Sequence, residues 1–238
     1  MTRWDNERKA YQTRAANRRV QQQYASLSLP ETFEHIYSSD VWGDAEQNSG
    51  RGSTGRYVAE YGALLERLLR QYDVQSVADL GCGNFNTGKV IARMVPRYIG
   101  VDIAQPVITA NTQAYATKSV TFMRADATKD LLPTADAALV RQVLQHLTNH
   151  EIQLALTNIL NTYRLVFITE HVYIGPGTKP NRDFGHGPGT RIPLKSGVFI
   201  DCPPFNIQAT VAGDIAYTPN EVLRTWMVER LTFKQLLN

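Results

Sequence analysis

Two hydrophobic rhythms run along this chain. Between Tyr57 and Gln71, the residues Val58, Tyr61, Leu64, Leu65, Leu68 and Leu69 recur at steps of three and four, which predicts an amphipathic helix. Thereafter short apolar runs alternate with helical stretches. Strands are predicted at Ser76–Leu80, Tyr98–Asp102, Val120–Arg124, Ala137–Val140 and Leu165–Thr169, and helices at Thr87–Met94, Pro106–Tyr115 and Glu151–Thr162. Strands that are apolar throughout suit a sheet buried on both faces. The alternation therefore predicts an α/β fold, with a mostly parallel sheet and helices on both faces. Beyond Glu170 the pattern breaks. Residues 175–206 are rich in Gly and Pro and show no periodicity, and a loop of that length is a candidate functional segment. Two β-favouring runs, Ile207–Val211 and Val222–Leu231, predict a C-terminal antiparallel hairpin, although the second run suits a helix equally well. At the other end, residues 1–28 read as a polar, basic helix and 38–56 as a Gly/Ser-rich loop.

Composition narrows the class. The 238 residues are 43% hydrophobic, enough to bury the core of one elaborated domain. A net charge of +3 is too mild to mark a nucleic-acid binder. Two cysteines cannot form a disulfide framework. With a polar N-terminus and no apolar leader, they read as reduced thiols of a cytoplasmic protein. No apolar stretch reaches the roughly 18 residues a membrane span needs.

The chemistry concentrates where strands end. Asp79-Leu80-Gly81-Cys82-Gly83-Asn84 follows the first strand and leads into a helix. Gly81 and Gly83 let the backbone turn sharply and approach a ligand closely. A dinucleotide fingerprint needs a third glycine three residues later, where this chain has Asn86. Asp79 would also repel a pyrophosphate and attract an ammonium group. S-adenosylmethionine (SAM) carries an amino-acid end and no phosphate. Asp102 ends the second strand, followed by Ile103, and can accept hydrogen bonds from ribose hydroxyls. Asp126, followed by Ala127 after the third strand, can accept from an adenine amino group. All three acids are expected at the carboxyl edge of adjacent parallel strands, where open α/β sheets bind ligands.

Asp79–Gly88, Tyr98–Ile103 and Arg124–Ala127 resemble the motifs of class I SAM-dependent methyltransferases, over roughly residues 57–170. Phe33–Tyr37 through Trp42-Gly43, Ser49–Ser53 and Arg141–Leu147 resemble a bacterial subgroup often found among glycan and secondary-metabolite genes. The resemblance implies a Rossmann-like class I methyltransferase fold with an N-terminal helical segment and lid at 1–56 and a methyltransferase domain at 57–238. It also implies SAM as cofactor and O-methylation of a small molecule or glycan. RNA methylation, or cofactor binding without catalysis, are the competing readings. Some relatives hold a metal with a Glu-x-x-Glu-His arrangement after the fourth strand. Here Gln142, Gln145 and His146 stand there, so no metal is expected. Arg141 and Gln142 are expected to line the cofactor or acceptor pocket. A general base is sought first in His171, then in His146, with His186 of the long loop behind them. Trp42, Arg51, Ser53, His186 and Arg191 are expected to contribute to a lid or acceptor site.

Overall fold

The structure, a computed structural model, describes residues 22–42 and 55–230. Helix α1 (Leu29–Ser38) leads, followed by α2 (Gly55–Gln71), β1 (Ser76–Leu80), the short α3 (Gly88–Ile91) and β2 (Arg97–Asp102). Then come α4 (Gln105–Tyr115), β3 (Val120–Arg124), β4 (Ala137–Arg141), α5 (Asn149–Thr162), β5 (Leu165–Tyr173), β6 (Thr210–Thr218) and β7 (Glu221–Glu229). The seven strands lie in the order β3-β2-β1-β4-β5-β7-β6. The five strands β1–β5 pair in parallel, and β7 and β6 extend the sheet as an antiparallel hairpin. The mostly parallel α/β architecture and the terminal hairpin are as the sequence predicts.

Alternating side chains divide the core between the two faces of the sheet. Ala78, Leu80, Val140, Val166 and Ile168 face Ile152, Ala155, Leu156 and Ile159 of α5, together with Phe33 and Ile36 of α1. Val77, Leu139 and Phe167 face Tyr61, Leu65, Leu68 and Leu69 of α2 on the other side. Phe167 and Leu139 are fully buried, each stabilising the fold by about 1.5–3 kcal/mol. Helix α5 begins at a capping box. Thr148 Oγ1 accepts from the Glu151 amide at 3.2 Å, and Glu151 Oε2 accepts from the Thr148 amide at 2.8 Å.

Several boundaries differ from expectation, each for a tertiary reason. Strand β5 runs on to Tyr173, because β7 pairs with it from Leu165↔Glu229 through Tyr173↔Glu221. Glu170 and His171 therefore lie inside a strand rather than after one. Residues 222–229 form a strand, which settles the helix-or-strand ambiguity. The first arm of the hairpin begins at Thr210 rather than Ile207. The predicted Thr87–Met94 helix is trimmed to Gly88–Ile91. Helix α1 was not predicted, although its start is written as Ser28-Leu29-Pro30-Glu31. Glu31 Oε2 accepts from the Ser28 amide at 2.8 Å, and Pro30 sits in the first turn. Of the polar helix expected over 1–28, residues 1–21 lie outside the described residues, as do 43–54 of the expected lid.

Residues 174–209, between β5 and β6, carry one 3-10 turn, Ile192–Leu194. Side chains fasten this segment to the domain. Asn181 Nδ2 donates to the Phe199 and Pro203 carbonyls at 2.8 and 2.9 Å. Arg191 donates to the carbonyls of Arg182, Gln145 and Leu147 at 3.0, 3.0 and 2.7 Å. Among the described residues no helix is long and apolar enough to cross a membrane.

Candidate active site

Strand order reverses between β1 and β4, and a crevice opens there at the carboxyl ends of the strands. A cavity of about 280 Å³ occupies it. Its floor is the turn after β1. Gly81 and Gly83 take φ of +78° and +54°, a region closed to most side chains. A Cβ on Gly81 would come within 2.3 Å of Val143 Cγ2, so the turn also needs glycine for space. The Cys82 side chain is buried behind this turn, and Asn111 Nδ2 ties it to α4 by donating to the Gly83 carbonyl at 2.7 Å.

Carboxylates flank the floor. Asp102 Oδ2 accepts from the Gly83 amide and Oδ1 from the Ala104 amide, both at 3.0 Å. Each oxygen keeps a lone pair for a further donor, so the carboxylate can take two vicinal hydroxyls. Burial raises its pKa, against the pull of the Ala104, Gly83 and Ile103 amides. Asp79 is also buried, and burial pushes its pKa up to about 6, opposed by Tyr98 and by the Arg141 charge. The Tyr98 hydroxyl donates to Asp79 Oδ2 at 2.5 Å. Asp126 lines the cavity with Ala127, but its Oδ1 already accepts from the Thr128 amide and hydroxyl at 2.9 and 2.6 Å. Its Oδ2 lies 3.4 Å from Lys129 Nζ. Its side chain thus spends much of its accepting capacity on its own turn, more than the sequence suggested.

The wall after β4 is shaped by a buried acid. Arg141 closes the strand, its guanidinium 4.9 Å from the Tyr61 ring centroid. Gln142 follows at φ +55°, and its amide donates to the Thr169 carbonyl at 2.7 Å. Both residues line the cavity, with Asn84 and Ile103. Glu170, fully buried, then accepts from three successive amides. Oε1 takes those of Val143 and Leu144 at 3.1 and 2.9 Å, and Oε2 that of Gln145 at 3.1 Å. Burial nevertheless pushes its pKa up to about 7.

Two of the three candidate histidines reach the cavity. His146 packs against Trp42 with ring centroids 4.9 Å apart, and Trp42 Nε1 donates to the Pro188 carbonyl at 3.1 Å. Both His146 nitrogens are engaged, Nδ1 with the Gly189 carbonyl at 3.0 Å and Nε2 with Gln145 Nε2 at 3.2 Å. Burial lowers its pKa to about 4. His171 lies on the other wall. Its Nε2 is 3.1 Å from Glu221 Oε2, and its ring centroid is 4.4 Å from that of Tyr217. Burial lowers its pKa too, outweighing the opposing effect of Glu221.

His186 and Arg191 are placed elsewhere. His186 Nδ1 meets Glu151 Oε1 at 2.8 Å and Nε2 the Tyr24 carbonyl at 3.0 Å, away from the cavity lining. Arg191 clasps the backbone behind the post-β4 turn. Both positions look functional in sequence because polar residues in a Gly/Pro-rich loop carry no packing signal. Arg51 and Ser53 lie outside the described residues. The sequence did not assign to the site Phe33, Tyr37, Gln145, Thr190 and Tyr217, which line the cavity, or Tyr98 and Glu221, which orient residues that do. Only Phe33 and Tyr37 offered a signal, four residues apart on one helix face. Among the described residues no cluster of three or more His, Cys, Asp or Glu side chains is placed to hold a metal ion.

A family model described as "Methyltransferase domain" matches residues 77–164, from β1 to the end of α5. The sequence matches no curated protein. Among solved structures, the chain is similar to the N-terminal domain of EvdMO1, solved in the presence of SAH and D-fucose. The identity is 12% over 71% of this chain and 82% of that one, with a TM-score of 0.49. It is similar to the methyltransferase domain of bacterial CtHen1, at 16% identity over 48% and 66% of the two chains (TM-score 0.43). CalS10, an amino pentose methyltransferase from Micromonospora echinaspora, is 18% identical over 47% of this chain and 50% of that one (TM-score 0.42). This chain thus spans about two thirds or less of the length of CtHen1 and CalS10, and likeness at this level says nothing about the acceptor. The family match covers the glycine turn and the carboxylates at the ends of β1 and β2, so residues 77–164 match a methyltransferase domain.

Proposed function

We propose that this chain methylates a hydroxyl group of a small-molecule or glycan acceptor, with His171 as the general base. The observation that carries this reading is the placement of His171. It reaches the cavity from β5 with a carboxylate partner at 3.1 Å, whereas both nitrogens of His146 are spent on the surrounding structure.

The residues at the floor fit the cofactor. Asp102 has accepting capacity for the ribose hydroxyls. Asp79 suits the ammonium of the amino-acid end, and the Arg141 guanidinium suits its carboxylate. Gly81, Cys82, Gly83 and Asn84 supply a backbone that a ligand can approach closely, and Asp126, Ala127 and Ile103 would border the adenine. When bound, the cofactor supplies an electrophilic methyl carbon on a positively charged sulfur, a leaving group that needs no acid. What remains for the protein is alignment and the acceptor's proton. Tyr217 packs against His171, and Trp42, Gln142 and His146 line the same cavity. The His171 imidazole takes the hydroxyl proton and later returns it to solvent.

The test is S-adenosylhomocysteine binding by calorimetry, followed by methyl transfer against hydroxylated small molecules, glycans and RNA. Folded protein that binds no S-adenosylhomocysteine sinks the cofactor assignment. Turnover confined to RNA, or to amines, overturns the acceptor.

A further inference from the structure

We infer that the C-terminal hairpin is part of the catalytic apparatus, with Glu221 as the positioning residue that fixes which nitrogen of His171 is basic. The inference rests on the reading of His171 as the base and deepens it.

The argument begins with donors and acceptors. A carboxylate oxygen only accepts, so the His171 nitrogen 3.1 Å from Glu221 Oε2 carries a hydrogen. That nitrogen is Nε2. In the neutral ring the lone pair then belongs to Nδ1. Tyr217 of β6 packs tilted against the ring, 49° between planes and 4.4 Å between centroids, and Tyr57 of α2 stacks on Tyr217 at 4.8 Å. The imidazole is thus held between Glu221 of β7 and Tyr217 of β6. This geometry exists because Glu221 opens β7, where it pairs with Tyr173 two residues beyond His171. Without the hairpin, β5 would end as an open edge with no carboxylate beside the histidine.

His146 is bound the opposite way. Its Nδ1 is 3.0 Å from the Gly189 carbonyl, which also only accepts, so Nδ1 carries the hydrogen. The Nε2 lone pair is then left to the Gln145 amide nitrogen at 3.2 Å. The two cavity histidines therefore hold opposite tautomers, and the lone pair of His146 is already committed to a donor. The Nδ1 of His171 is the imidazole nitrogen of this cavity that is left basic. A carboxylate behind the ring also favours the imidazolium that forms once a proton has been taken.

The test needs no acceptor. Nitrogen-15 NMR of the full chain with labelled histidine separates the two tautomers. His171 is expected to be protonated at Nε2 and bare at Nδ1 when neutral, and His146 the reverse. In Glu221→Gln the proton affinity of His171 should fall about tenfold, one pKa unit, because an opposing charge is gone. S-adenosylhomocysteine affinity should stay within about twofold of wild type, since no proposed cofactor contact is touched. A His171 protonated at Nδ1 in the wild type, or a titration midpoint unmoved in Glu221→Gln, overturns the inference. The wild-type spectrum decides the tautomer by itself, so a poorly folding variant does not remove the test. Failure of the underlying reading looks different. His171→Ala would then turn over at near wild-type rate while both tautomers stood as stated.

Discussion

The two ends of the cavity are built in contrasting ways. The end proposed for the cofactor is local, its carboxylates and glycines lying at the ends of β1, β2 and β3 and in the turns that follow. Its bonds join residues up to about 20 positions apart, such as the amides of Ala104 and Gly83 to Asp102. The end proposed for the acceptor is assembled from afar. Trp42 bonds to Pro188 across 146 positions, and His171 meets Glu221 across 50. A site that must recognise a constant ligand can be written as a compact motif. One that must fit a particular acceptor draws on whichever loops and termini reach it, and these vary most freely.

Breaking the acceptor end should have the largest effect. His171→Ala is expected to reduce turnover by about a hundredfold to ten-thousandfold, the usual cost of a lost general base. Cofactor affinity, measured by calorimetry, should be unchanged. Equal losses in turnover and cofactor affinity would show that the two ends are not separable.

Glu170 holds the turn from Val143 to Gln145, which lines the cavity. Glu170→Ala leaves three buried amides without an acceptor and should cost about 3 kcal/mol of stability, read as a lower urea midpoint. At the cofactor end, Asp102→Ala should weaken S-adenosylhomocysteine binding by about 1–3 kcal/mol, the scale of lost charge-assisted hydrogen bonds. Turnover at saturating cofactor should suffer much less. An unchanged affinity would show that the ribose is held elsewhere.

Effects of pH differ in sign between folding and binding. The folded pKa of Glu170 lies near 7, above its ordinary value of 4.5, and that of Asp79 near 6, above 3.8. The folded chain therefore binds more protons than the unfolded chain across that window. Stability should fall as pH rises from about 4 through about 7, and Glu170→Gln should flatten the upper part of that slope in denaturation curves. Binding runs the other way. An ammonium group seeks the ionised Asp79, so cofactor affinity should climb with pH up to about 6 and then level off. Asp79→Asn should bind more weakly and lose this dependence in calorimetry across the same range.

Most of the parallel sheet was legible because its strands read as short β-favouring runs between turns, and the central ones are buried on both faces. Ser76–Leu80 and Val120–Arg124 match residue for residue. The glycine turn and the three acids were legible for a related reason, since each follows a strand whose end can be read. The acceptor wall was not. Glu170 and His171 look like loop residues until β7 pairs alongside them, and Glu221 has no local feature that ties it to a histidine 50 positions away. His186 and Arg191 misled for the converse reason. A charged or imidazole side chain in an aperiodic loop signals equally a ligand contact or a clasp on the backbone, and here both are clasps.

By itself, the sequence determined the alternation of strand and helix, the carboxyl-edge acids and a turn that only glycine can make. All of these are short-range, set by side-chain period and backbone sterics. The tertiary structure alone decided how far β5 extends, which acid shapes the turn after β4, and which of the two cavity histidines stands beside a carboxylate. Those depend on which distant segments meet, and hydrogen bonds between groups 25 to 146 positions apart leave no periodic trace in the chain that makes them.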